Sequence, residues 1–181
     1  MLALSPRLLL SAFLLAIFLV AWWRPDAVSE TRVAPPAPTS PDKRIAFSFD
    51  DAPRGKGAFL EPDERPRLLI EALETARIRQ AVFFVNPGRI TAYDNDAADI
   101  AAYAAAGHLL ANHTAHHLKL SAVSADKFLA DIDAADTWLK DKPHYRPWFR
   151  FPFLDEGRKD KVKRDAVRAG LKKRGLMNAY V

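Results

Sequence analysis

Gln80 to Val85 reads QAVFFV and is apolar on both faces. A strand with one wet face alternates apolar and polar residues; one without alternation is covered on both sides, as in a parallel sheet flanked by helices. The neighbouring segments supply such helices. Glu64 to Arg77 sets Leu68, Leu69, Ala72, Leu73 and Ala76 at helical spacing. Asp96 to Ala106 is Ala-rich and stops at Gly107, which can take the left-handed cap. Leu109 to Asn112 is a short strand, and Ser124 is the N-cap of a helix reaching Leu139 with Phe128, Ile132, Ala135 and Leu139 on one face. Pro143 and Pro147 bracket a loop before a strand at Trp148 to Phe151; a basic helix and a last strand, Leu176 to Val181, follow. With a first strand at Arg44 to Phe49, strand and helix alternate throughout, which predicts a parallel α/β sheet or barrel.

The N-terminus stands apart from this pattern. Leu8 to Trp23 is apolar except for Ser11 and lies between Arg7 and Arg24, the form of a secretory signal or an uncleaved membrane anchor. Ala34 to Pro41 is proline-rich and cannot build helix or ladder. The expected organisation is therefore a signal or anchor over 1–29, a linker over 30–43 and one domain over 44–181. That domain is exported, whether periplasmic, secreted or tethered, and the membrane is met only through the leader. The chain has no cysteine, which excludes disulfides, thiolate catalysis and zinc-thiolate sites, so a metal here must use His and carboxylate. The net charge of +5 is local, because nine Lys or Arg between Arg158 and Arg174 face only Asp160 and Asp165. Val162, Ala166, Val167, Gly170 and Leu171 recur there at helical spacing, so a solvated helix face with a buried stripe is preferred over an anion-binding surface. No nucleic-acid partner is expected.

The residues with chemical potential fall at strand ends. Ala46, Ser48 and Asp50 share one strand face, and Asp51 is expected as the first loop residue beside them. Two adjacent carboxylates repel unless one meets a cation; the other is then available as a base. Four of the five histidines lie between His108 and His117. If that segment is helical, His113 and His117 lie a turn apart and chelate one ion with Asp51, leaving an open position of the catalytic zinc type, while His116 points elsewhere.

SFDD at Ser48 to Asp51, HTAHH at His113 to His117 and RFPF at Arg150 to Phe153 resemble, in order and spacing, the first three motifs of the polysaccharide deacetylases, the NodB-homology carbohydrate esterases. The resemblance implies a deformed (β/α) barrel and removal of N-acetyl groups from an envelope glycan, an N-acetylated polysaccharide or peptidoglycan-like polymer. It implies Asp50 as general base, Asp51, His113 and His117 as ligands of a divalent metal (zinc first, cobalt or nickel also suitable), and Arg150 as the group that orients Asp50. Pro152 and Phe153 would line the sugar groove, the Phe153 amide would face the oxyanion, and Thr114 would support the metal loop. An O-acetyl esterase or a glycan-binding remnant are the alternatives. The family's fourth and fifth motifs, including its leaving-group histidine, are not found before Val181. Arg44 to Val181 is 138 residues, against about 250 for a closed eight-stranded barrel. A barrel lacking its last strands, with an unpaired edge, is therefore expected.

Overall fold

The computed structural model describes residues 45–92 and 97–180, all within the unit Arg44–Val181. The leader and linker lie outside the described residues. Five strands, β1 (Ser48–Ala52), β2 (Val82–Val85), β3 (Leu109–Asn112), β4 (Tyr145–Phe149) and β5 (Met177–Asn178), pair in parallel in the order β1-β2-β3-β4-β5. Helices α1 (Glu64–Thr75), α2 (Ala98–Ala105), α3 (Ala125–Leu139) and α4 (Lys161–Lys173) alternate with them. Each crossover returns the chain to the next position without reversing the strand order. That is the winding of a (β/α) barrel rather than of a doubly wound sheet, whose order reverses at a switch point.

Local chemistry explains most boundaries. The Ser124 hydroxyl accepts from the Lys127 amide at 3.2 Å and starts α3. Gly107, at φ 86°, turns the chain from α2 into β3. Apolar side chains fill two clusters. In one, Phe83 stacks on Tyr103 and packs with Leu73, Ile100 and Leu110; in the other, Phe128 and Ile132 of α3 meet Phe149, Phe151, Val167 and Leu171. Gly170 allows the close approach of α4 to α3, since a Cβ there would sit 2.5 Å from Leu129 Cδ2.

Several expectations are corrected. β1 starts at Ser48, not Arg44, and leaves Ile45 80% exposed. β4 starts at Tyr145 and contains Pro147, so Pro147 does not belong to a loop. Its missing amide is absorbed by an irregularity: Leu110 pairs with Tyr145 and Asn112 with Phe149, so the β4 side carries two extra residues. Phe149 ends β4, which puts Arg150 just beyond the strand, its amide still donating to the Asn112 carbonyl. The stripe of α4 is narrower than its spacing suggests: Val167, Gly170 and Leu171 are buried, while Val162 is 82% exposed and Ala166 is also exposed. His108 is a core residue, buried, with Nδ1 accepting from the Ala81 amide.

Candidate metal centre

Strict strand alternation would send Asp50 and Asp51 to opposite faces of β1. Asp51 instead takes φ 66°, and the pairing with β2 shifts between Phe49 and Ala52. Asp51 is thus a bulged strand residue, not the first loop residue, and the bulge re-aims its carboxylate toward the β3 end. There, residues 113–117 form an irregular loop. The helical spacing read for His113 and His117 is therefore wrong, although the two rings do converge.

The loop is not helical because side chains claim its backbone groups first. The Asn86 amide nitrogen donates to the carbonyls of His113 (2.5 Å) and Thr114 (2.9 Å). The Thr114 amide donates to Asn112 Oδ1, and the amides of Ala115 and His116 donate to the carbonyl and Oδ2 of Asp131. These bonds hold Thr114 at φ 63° and His117 at φ 56°, conformations that cost about 1–3 kcal/mol at non-glycine residues and persist only where the surroundings over-determine them. Thr114 thus supports the loop through its backbone. His116 faces away, its Nδ1 2.6 Å from Asp131 Oδ1.

One oxygen sits at the centre of the site. Asp51 Oδ1 lies 2.7 Å from His117 Nε2 and 3.7 Å from His113 Nε2, and ligand atoms of the three residues all lie within 4.8 Å of one another. His113 Nδ1 is 2.8 Å from the Arg150 carbonyl, which only accepts, so Nδ1 carries the proton and Nε2 presents its lone pair to Asp51. Burial, ahead of every other influence, pushes the His113 imidazole down to about 4. His117, by its close approach and its charge, together with Arg89 Nη1 at 3.4 Å from the same oxygen, holds the Asp51 carboxyl down at about 2 against the upward pull of burial. Although His117 lies close, the buried Oδ1 has no hydrogen-bond partner among the described residues. A carboxylate oxygen left orphaned among two imidazole nitrogens, one with its tautomer fixed from outside, fits a divalent cation.

Asp50 stands outside this cluster. Arg150 Nη1 donates to Asp50 Oδ1 at 2.7 Å and to Ser48 Oγ at 2.9 Å, so the expected Asp50–Arg150 contact and the shared face of Ser48 and Asp50 are both present. Arg150 is itself fixed: it is buried, its guanidinium lies 4.0 Å over the Phe84 ring, and Nε donates to the Ala179 carbonyl. Asp50 remains partly open to solvent.

Pro152 is buried beneath the rim, whereas Phe153 is 61% exposed at φ 58° and sets its ring 4.5 Å from that of His117. Phe153 and His117 form one wall of a cavity of about 600 Å³ that also reaches Asp51 and Phe59. Three site-building residues escaped the sequence reading. Asn86 follows the apolar β2 directly, and Asp131 is an acid within the apolar stripe Phe128, Ile132, Ala135, an anomaly that could have marked it. Arg89 carries no such mark.

The family model for polysaccharide deacetylases matches residues 37–173. No curated protein sequence matches the chain. Among solved structures, a family 4 carbohydrate esterase from Streptomyces lividans, in complex with acetate, is similar with 20% identity and a TM-score of 0.57, over 77% of this chain and 62% of that one. A peptidoglycan deacetylase from Bacillus subtilis is similar with 20% identity and a TM-score of 0.52, over 78% and 60%. A family 4 pseudoenzyme from Bacillus anthracis is similar with 17% identity and a TM-score of 0.53, over 77% and 43%. This chain spans less than two thirds of each of these structures, and at such identities the likeness shows the fold. On the family match, the chain belongs to the polysaccharide deacetylase family.

Proposed function

We propose that this protein is a metal-dependent hydrolase that removes N-acetyl groups from an envelope or extracellular polysaccharide, and that its N-terminal segment exports or anchors it. The observation that supports this most is the convergence of Asp51, His113 and His117 beside a second carboxylate, Asp50, that is held by a buried arginine and left outside the cluster. Asp51, His113 and His117 would hold the divalent ion, zinc by preference, with cobalt or nickel also suited to this donor set. When bound, such an ion supplies Lewis acidity, lowering the pKa of water from 15.7 to about 7 and polarising the acetyl carbonyl.

The chain's own residues do the rest. Asp50 accepts a proton from the attacking water, and Arg150 keeps its carboxylate in place for that transfer. Phe153 offers its backbone N–H to the developing oxyanion and its ring to the sugar face. Asn86, Asn112 and Asp131 fix the loop that presents His113 and His117, so the donors need no rearrangement. The substrate on this reading is an N-acetylated glycan of the peptidoglycan or chitin kind.

Acetate release from matched N-acetylated and O-acetylated oligosaccharides, with zinc, cobalt or nickel supplied, tests the proposal. Metal-dependent release from the amide substrate supports it, and release from the ester alone would make the protein an O-acetyl esterase. The pseudoenzyme among the similar folds favours one further reading, a non-catalytic glycan binder. Glycan binding without acetate release from either substrate would establish that instead.

A further inference from the structure

Two guanidinium groups approach Asp51 besides the imidazoles, and one of them takes the same oxygen. Arg89 Nη1 lies 3.4 Å from Oδ1, the atom on which His113 and His117 also converge. Arg54 Nη1 lies 3.8 Å from the other oxygen, Oδ2, and its side chain is 64% exposed where that of Arg89 is 22% exposed. The more shielded guanidinium therefore stands at the oxygen assigned to the ion, where water and salt screen it less.

The contact is built into the fold. β2 continues through Asn86, Pro87 and Gly88 to a single helical turn, Arg89–Ala92, and this passage is tied to the metal loop at two points. The Asn86 side chain bonds the carbonyls of His113 and Thr114, and the Gly88 amide donates to the Ala115 carbonyl at 3.0 Å. That approach needs glycine, because a Cβ at Gly88 would lie 2.8 Å from the Ala115 carbonyl oxygen and 2.7 Å from His116 Cδ2. The Arg89 amide donates back to the Asn86 carbonyl at 3.0 Å. The strand end that fixes the two histidines thus also delivers a cation to the carboxylate they meet.

A guanidinium at this place is not needed to make the ligand. A carboxylate is ionised at neutral pH unaided, and the Asp51 backbone is already set by the bulge at φ 66°. What the guanidinium opposes is a second positive charge. A zinc ion about 2.0–2.2 Å from Oδ1 would be no more than about 5.6 Å from Arg89 Nη1 as it stands. Like charges that close repel appreciably where solvent is partly excluded.

We propose that Arg89 is a built-in competitor of the metal: its guanidinium occupies the Asp51 carboxylate until an ion displaces it or binds against its charge. Zinc then binds the Asp51, His113 and His117 set more weakly than those three donors alone would allow, and loading follows the supply of free metal. The inference rests on the reading of these three residues as the metal centre. It needs only the contact with Asp51, whatever else Arg89 touches.

The test is the zinc affinity of the full chain, stripped of metal and titrated against a chromophoric chelator with no substrate present. Arg89→Gln and Arg89→Met both remove the charge, the second keeping an apolar stem so that loss of packing is controlled, and both should bind zinc about tenfold tighter than the parent. Arg89→Lys keeps the charge and should stay within about twofold of the parent. Arg54→Gln removes a solvated charge from the other oxygen and should tighten zinc by less than about twofold. High salt should narrow the gap between the parent and the two neutral variants. Unchanged zinc binding in both neutral variants would overturn the inference and leave the metal centre standing. Weaker binding in both would also overturn it and make Arg89 a prop for Asp51, and equal tightening in Arg89→Lys would do so because charge would not be the cause. No zinc bound by the parent or by any variant would remove the metal centre itself, and the competitor with it.

Discussion

The two loops that meet at the site are held in opposite ways. Residues 113–117 are anchored by three separate side chains from three elements, Asn86 after β2, Asn112 of β3 and Asp131 of α3, and they carry two strained left-handed residues. In the lip between β1 and α1 the backbone carbonyls are gathered by Arg65, ion pairs join Lys56 to Glu61 and Arg54 to Asp51 at the surface, and Phe59 is exposed. Chelation requires fixed donors, because any freedom of the ligands must be given up on binding the ion; recognition of a polymer tolerates a wall that adjusts. A comparison of damage to the two loops should therefore separate metal binding from glycan binding.

The largest effect belongs to the ligands. His113→Ala or His117→Ala removes one of three donors and should abolish stoichiometric zinc, measured by elemental analysis after dialysis. His116→Ala should retain full occupancy, since that ring faces Asp131. If His116→Ala lost as much zinc as His117→Ala, the loop would present its donors differently from the structure described.

Next comes Asp50, which belongs to neither loop. Asp50→Asn should leave zinc occupancy unchanged and lower the rate of acetate release at least about 10²-fold. Zinc loss in Asp50→Asn, with retention in Asp51→Asn, would exchange the roles of the two carboxylates.

Asp131 tests the anchoring of the metal loop itself. Asp131→Asn preserves size but weakens the acceptors that hold the His116 amide and ring, so zinc affinity, read by chelator competition, should fall about 10–100-fold, the usual range for outer-shell partners. Unchanged affinity would mean that Asn86 and Asn112 suffice to fix the loop.

This difference in anchoring also explains what the sequence revealed. QAVFFV, the apolar spacing of α1 and the Ser124 cap are local signals, and β2, α1 and α3 are found where those signals put them. The convergence of Asp51 with His113 and His117 and the contact of Asp50 with Arg150 were legible, because SFDD, HTAHH and RFPF keep their order and each falls at a strand end. Their backbone was not. Asp51 looked like a loop residue and His113 to His117 like a helix because spacing records which residues are near, whereas the bulge and the left-handed turns depend on Asn86, Asp131 and Arg150, distant in sequence. Val162 shows the same limit from the other side: it fits the periodicity of α4, but none of the described residues covers it, and it stays in solvent.

The smallest effect should come from the lip. Arg65→Gln removes a guanidinium that bonds three carbonyls, two of them partly shielded from water, so the lip loses its fold while the metal loop keeps all its anchors. The loss of such bonds at a partly exposed site is about 1 kcal/mol in stability, read as a lower thermal midpoint. Zinc affinity should stay within about twofold of the parent, because none of the bonds on His113 to His117 involves Arg65. Glycan affinity should weaken severalfold, since Arg54, Lys56 and Phe59 then sample positions away from the groove and must be reordered on binding. A fall in zinc affinity comparable to that of Asp131→Asn would show that the two loops act as one unit, joined through Arg54, which reaches from the lip to within 3.8 Å of the Asp51 carboxylate.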